Sequence, residues 1–201
     1  MRLFLAVHFP ASLERDIRRA SDALRTRLGA DCGTLRWVEP SQFHITVKFL
    51  DECTNEDAYI LARELKAPLQ RMAPFPLRLG HCGYFPPHGE PRVLQVAIED
   101  GGAELAMLAA ATDDVAHDTL GRPRDERMFH PHVTLARIKS VRNRSRFTDL
   151  LDTTPPVNFP PCVIATIELV RSRLNAQGAR YETIGRFELG PSLAERPGTS
   201  A

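Results

Sequence analysis

The chain predicts an α+β fold of two lobes facing each other across a cleft. Two observations predict it. Strand-like and helix-like segments follow one another in a strand–helix–strand order that occurs twice. Each half then carries one copy of a short pattern, His44-Ile45-Thr46-Val47 in the first and His132-Val133-Thr134-Leu135 in the second. In a strand, residues two apart share a face. His44 therefore sits beside Thr46 and His132 beside Thr134, while the apolar residues between them turn to a core. No other repeat of fixed period is visible, which excludes solenoids and propellers.

The elements follow in order. Residues 3–9 read as a buried strand, and Pro10-Ala11-Ser12 opens a helix to about Leu28 with Leu13, Ile17, Ala20, Leu24 and Leu28 on one stripe. A short strand at 36–38 precedes Pro40, and the strand 43–50 carries the first His/Thr pair. Thr54-Asn55-Glu56-Asp57 has the form of a capping box and starts a helix running to about Gln70. Strands at 77–85 and 92–99 flank a turn-rich stretch, Pro86 to Pro91. An alanine-rich helix over 103–120 follows, then an arginine-rich loop, then a strand over 129–138 with the second pair. A short helix near 145–151 and a proline-broken linker lead to a closing hairpin, 163–174 and 179–189, turning at Asn175-Ala176-Gln177-Gly178. Residues 1–190 are expected to form one bilobal domain, and 191–201, rich in Pro, Gly and Ser, a disordered tail.

Composition excludes several classes. With 201 residues, 43% hydrophobic and 25% charged, the chain can bury one sizeable core. A formal net charge of +1 neither demands nor excludes nucleic acid. Cations are concentrated between Arg122 and Arg146, a segment that would attract phosphate as readily as it would form a solvated basic loop. Cys32, Cys53, Cys82 and Cys162 are too scattered for a disulfide framework or a zinc ribbon and fit reduced thiols in the cytoplasm. The apolar start is short, interrupted by His8 and without a cleavage site, so it reads as a strand and not as a signal peptide. No apolar run is long enough to cross a membrane.

Two imidazoles, each with a neighbouring hydroxyl, suit acid–base chemistry at a phosphodiester. One imidazole takes a proton from water or a ribose hydroxyl; the other gives one to the departing oxygen. Thr46 and Thr134 would donate to the non-bridging oxygens. Arg137 is the best arginine to join them, yet strict alternation puts it on the opposite strand face from His132 and Thr134. It needs a bulge, a strand end or a long reach. His130, two residues before His132, offers a His-x-His spacing that metals use, but no second ligand cluster stands out, and no metal or cofactor is expected. For a nucleoside, Trp37, Tyr84 and Phe9 are the expected stacking residues, with Phe85 and Phe129 behind them, although a core role is the commoner fate of each. His8, His81, His88 and His117 show no partner pattern.

Paired His-x-Thr-x motifs resemble the two-histidine phosphoesterase superfamily. The surrounding sequence resembles one branch, the RNA 2′,3′-cyclic phosphodiesterases, also called the 2′-5′ RNA ligase family. The matching stretches are Arg2 to Val7, Arg36-Trp37-Val38 with Pro40, His44 to Leu50, Gly83-Tyr84-Phe85-Pro86, Pro91 to Leu94, Phe129 to Arg137, and Ser172-Arg173-Leu174 with Gly178 and Tyr181. Val47, Asp51 and Gln95 depart from residues common in the family at those places. The resemblance implies two pseudo-symmetric lobes of antiparallel sheet with helices outside. It also implies hydrolysis, without metal, of an RNA 2′,3′-cyclic phosphate to a 2′-phosphate, with reversible 2′-5′ joining in some members. His44 would protonate the leaving 3′ oxygen and His132 activate water, an assignment open to exchange. Thr46, Thr134 and Arg137 would hold the phosphate. The expected partner is RNA with a cyclic phosphate end, handled by a monomer with no obligate protein partner and no membrane. Two alternatives stand beside this reading. One is cleavage of 2′-5′ linked oligonucleotides or small cyclic nucleotides; the other is a non-catalytic RNA-binding module.

Overall fold

The computed structural model describes residues 1–175 and 178–190; the predicted turn at Ala176 and Gln177 and the predicted tail lie outside them. One lobe consists of β1 (Arg2–Val7), β3 (Ile45–Glu52), β8 (Thr166–Asn175) and β9 (Gly178–Glu188). The other consists of β2 (Gly33–Trp37), β4 (Phe75–Phe85), β5 (Val93–Asp100), β6 (His132–Val141) and β7 (Cys162–Ile164). These strands pair antiparallel throughout, in the order β7-β4-β5-β6-β3-β1-β8-β9 with β2 alongside β6. The lobes therefore exchange strands: β2 comes from the N-terminal half, while β8 and β9 come from the C-terminal end. β3 and β6 pair at a single position, Ile45 with Val133.

Helices cover the outer faces. α1 (Ala11–Leu28) packs on α5 (Arg144–Asp152), and Arg27 at its end donates to the carbonyls of Leu150 and Thr153. The lobe of β1, β3, β8 and β9 is backed by α2 (Asn55–Glu64), α3 (Lys66–Gln70) and α4 (Gly102–Leu120). The capping box forms as predicted: Asp57 N–H donates to Thr54 Oγ1 at 3.0 Å, and Thr54 N–H donates to Asp57 Oδ2 at 2.9 Å. The single helix expected over 55–70 is instead broken at Leu65. Pro68 has no N–H to give and its ring crowds the carbonyl of Glu64, so the turn cannot continue.

One continuous apolar core runs beneath both lobes, built from residues such as Leu5, Ile17, Leu50, Leu94, Leu108, Val133, Leu135 and Phe147. β1 is buried on both faces. Leu3, Leu5 and Val7 enter the main core, while Phe4 and Ala6 join Val170 and Tyr181 in a small cluster on the cleft side. The strand expected over 129–138 begins only at His132, because Pro131 cannot donate to a ladder.

Candidate active site

The pairing of Ile45 with Val133 puts the two His/Thr sets astride the junction of the lobes. In that antiparallel register Thr134 lies across from His44, and Thr46 across from His132. Each half thus supplies the hydroxyl facing the other half's imidazole. The two rings are fixed alike. His44 Nδ1–H donates to the carbonyl of Gln42 at 2.7 Å, and His132 Nδ1–H donates to the carbonyl of His130 at 2.8 Å. A bond at Nδ1 sets the tautomer, so the neutral ring carries its lone pair at Nε2. Nε2 of His44 lies 3.1 Å from Thr46 Oγ1. His130 thus serves the site through its backbone; its exposed ring packs at 5.6 Å from that of Phe85.

Arg137 reaches the site through a bulge. Along β5, Leu94 pairs with Ala136 and Gln95 with Thr134, so Leu135 is the extra residue on β6. Leu135 and Ala136 are both buried, alternation resets, and Arg137 comes out on the face of His132 and Thr134. Its charge acts on both imidazoles. The first copy carries the same device. Ala6 pairs with Thr46 and Leu5 with Lys48, leaving Val47 as the extra residue. Lys48 turns inward, its Nζ 2.5 Å from Asp113 Oδ1 on α4, and Phe49 emerges on the face of Thr46. Phe49 and Arg137 therefore occupy equivalent positions in the two halves.

Burial dominates the protonation of both histidines. It pushes His44 down to about 4 against the opposing bond to Gln42, helped by the nearby charges of His8, His132 and Arg137. Burial likewise holds His132 below the ordinary value, opposed by the His130 carbonyl and aided by His130 and Arg137. Both rings are neutral at pH 7 in the ligand-free protein.

Trp37, Tyr84 and Phe9, the leading stacking candidates, do not reach the cleft. Trp37 pairs with Ala136 and Tyr84 with Leu94, so both turn to the core face; Tyr84 packs on Phe147 of α5 at 6.0 Å. Phe9 is buried in the main core. One-residue alternation decides this: the cleft-side neighbours are Arg36 and Phe85. Beside His44 stand instead Phe4 at 5.0 Å, Tyr181 at 5.4 Å and His8 at 5.9 Å between ring centroids, with Phe49 beyond Phe4. His8, which had no partner pattern in the sequence, has its Nδ1 3.2 Å from the buried Glu168. Only the pairing of β1 with β8 brings these two together. Part of the basic segment is committed elsewhere: Arg122 bonds the Glu52 carbonyl, Arg124 pairs with Asp114 and Arg127 with Asp125.

The sequence profile described as LigT like Phosphoesterase matches residues 12–94 and 96–181. The chain belongs to this family. A Thermus thermophilus relative named RNA 2′,3′-cyclic phosphodiesterase is 32% identical over 98% of this chain and 97% of its own. One of the same name from Aquifex aeolicus is 31% identical over 77% of this chain and 82% of its own. Among solved LigT-like structures, a crystal structure of a Thermus thermophilus protein superposes with a TM-score of 0.72 at 32% identity, covering 95% of this chain and 99% of that one. The apo form of Escherichia coli LigT gives 0.71 at 26% identity, covering 94% and 97%. The curled antiparallel sheet with outer helices is the family's fold, as the sequence predicted.

Proposed function

We propose that this protein is an RNA 2′,3′-cyclic phosphodiesterase that hydrolyses a terminal cyclic phosphate to a 2′-phosphate. One observation carries the reading: two imidazoles with the same backbone-fixed tautomer stand astride one strand register, each facing the other's threonine, with Arg137 turned to them by a bulge. In the reaction, His132 Nε2 takes a proton from the attacking water as the new P–O bond forms. The bond from phosphorus to the 3′ oxygen breaks, and His44 Nε2–H delivers its proton to that oxygen. Thr46 and Thr134 donate to the non-bridging oxygens, and Arg137 balances their charge. His44 must be protonated for this role. The phosphodiester anion provides for it, since a negative charge beside a desolvated imidazole favours the imidazolium.

The cations this route requires are protein groups, so turnover is expected to persist in excess chelator. An oligoribonucleotide ending in a 2′,3′-cyclic phosphate should give a 2′-phosphate end, with His44→Ala and His132→Ala each slower by about 10²–10⁴-fold. Binding without turnover would favour a non-catalytic module, and a preference for 2′-5′ linked or small cyclic substrates in a parallel panel would redirect the assignment. We further propose that the chain acts as a cytoplasmic monomer, with residues 1–190 as its one catalytic domain. Among the described residues no helix is long and apolar enough to span a membrane, and all four cysteines are free.

A further inference from the structure

Arg36 and Arg137 are directly opposite each other on β2 and β6. Directly paired strand residues project to one face with Cβ atoms about 5 Å apart, and like charges in that position repel. Both side chains are exposed, and among the described residues neither has an ion-pair partner. Among the described residues other cations of the chain also lack a partner, Lys139, Arg144 and Arg146 included, so what sets this couple apart is its direct cross-strand pairing on the face of His132 and Thr134. The couple faces the cleft, since Arg137 shares a face with His132 and Thr134.

Charge then limits the ligand. A cyclic phosphodiester carries one negative charge, and the imidazolium with Arg137 already outweighs it. Arg36 adds a further cation one strand farther from the reacting centre, with nothing among the described residues to neutralise it. We propose that Arg36, opposite Arg137, seats a second phosphate: the one on the 5′ oxygen of the terminal nucleotide, which in RNA is the phosphodiester joining it to the preceding residue. The guanidinium's fork suits a phosphate's oxygens. The seat makes the enzyme select an RNA end, or a nucleotide bearing a 5′-phosphate, over a nucleoside cyclic phosphate. This assignment rests on the phosphodiesterase reading for its first phosphate.

The test compares three substrates: adenosine 2′,3′-cyclic phosphate, the same molecule with a 5′-phosphate, and the diadenosine dinucleotide ending in a 2′,3′-cyclic phosphate. In the wild type the second phosphate should raise kcat/KM about ten-fold, through KM. Arg36→Gln should bring that ratio close to one, and Arg36→Lys, which keeps the charge but not the fork, should restore part of it. A merely structural effect lowers all three substrates together and leaves the ratio standing. A wild-type ratio near one, or a ratio indifferent to Arg36→Gln, overturns the proposal. A gain with the dinucleotide but not with the 5′-phosphorylated nucleotide also overturns it, because contacts to the extra nucleoside would then explain the preference. If the wild type turns over none of the three, the phosphodiesterase reading has failed. The seat is then tested by titrating the dinucleotide with a 2′-phosphate end across ionic strength, where Arg36→Gln should reduce the salt slope by about one. An unchanged slope overturns it there.

Discussion

His44 and His132 are equivalent by motif and by their Nδ1 bonds, so their division of labour depends on what surrounds them. His44 is the more depressed, enclosed by Phe4 and Tyr181 with His8 behind it. In the proposed mechanism it starts neutral and becomes an acid only when the phosphate arrives. This can be checked by making the leaving atom independent of a proton. With a cyclic substrate whose 3′ oxygen is replaced by sulfur, which departs readily as a thiolate, His44→Ala should lose at most about ten-fold, against the 10²–10⁴-fold typical of a missing acid. His132→Ala should show no such rescue, because water still needs a base. Rescue of His132→Ala in place of His44→Ala would exchange the two roles. His8 was invisible as a contributor because nothing in its flanks predicts Glu168, which lies in a strand at the far end of the chain.

The bulges at Val47 and Leu135 decide which side chains meet the substrate. Elements and motifs were legible because hydrophobic alternation and capping chemistry are local. The bulges were not, since a one-residue insertion in a ladder leaves every residue type acceptable for a strand. The same limit misplaced Trp37 and Tyr84: each lies one residue from a cleft position, and one residue turns a side chain to the other face. The Val47 bulge also turns Lys48 beneath the sheet onto Asp113. Removing one partner of a buried pair strands the other's charge, so Lys48→Met should cost about 3–5 kcal/mol in a denaturant melt. Adding Asp113→Leu should recover much of that. A loss below about 1 kcal/mol, the range of solvated pairs, would show that this one is dispensable. Just beyond the second shift in β3, Asp51 holds φ 52°, in the left-handed region that favours glycine.

For the whole molecule, the two-lobed arrangement followed from the sequence order, but the exchange of β2, β8 and β9 between lobes did not, because strand neighbours are set by long-range packing. This shared construction ties the site's protonation to global stability. His44 has a pKa of about 4 in the folded protein against 6.5 in the unfolded chain, so between these values the unfolded chain binds the extra proton. Stability should therefore fall as pH drops from about 6.5 and stop falling on this account below about 4. In thermal melts across that range His44→Gln should flatten the slope, and an identical slope in wild type and variant would contradict the burial described. Glu168 adds to acid sensitivity in the same direction: burial raises its pKa, but bonds from Thr183 and Arg186 outweigh it and leave the carboxyl depressed, so its stabilisation is lost as it protonates. The equivalence of Phe49 and Arg137 has a consequence for regiochemistry. A dyad of matched imidazoles and hydroxyls would accept a cyclic phosphate in two orientations, breaking the bond to the 2′ oxygen in one and to the 3′ oxygen in the other. An aromatic ring on one side and a guanidinium on the other make the two orientations unequal in energy, so the duplicated motif should favour one isomer of product.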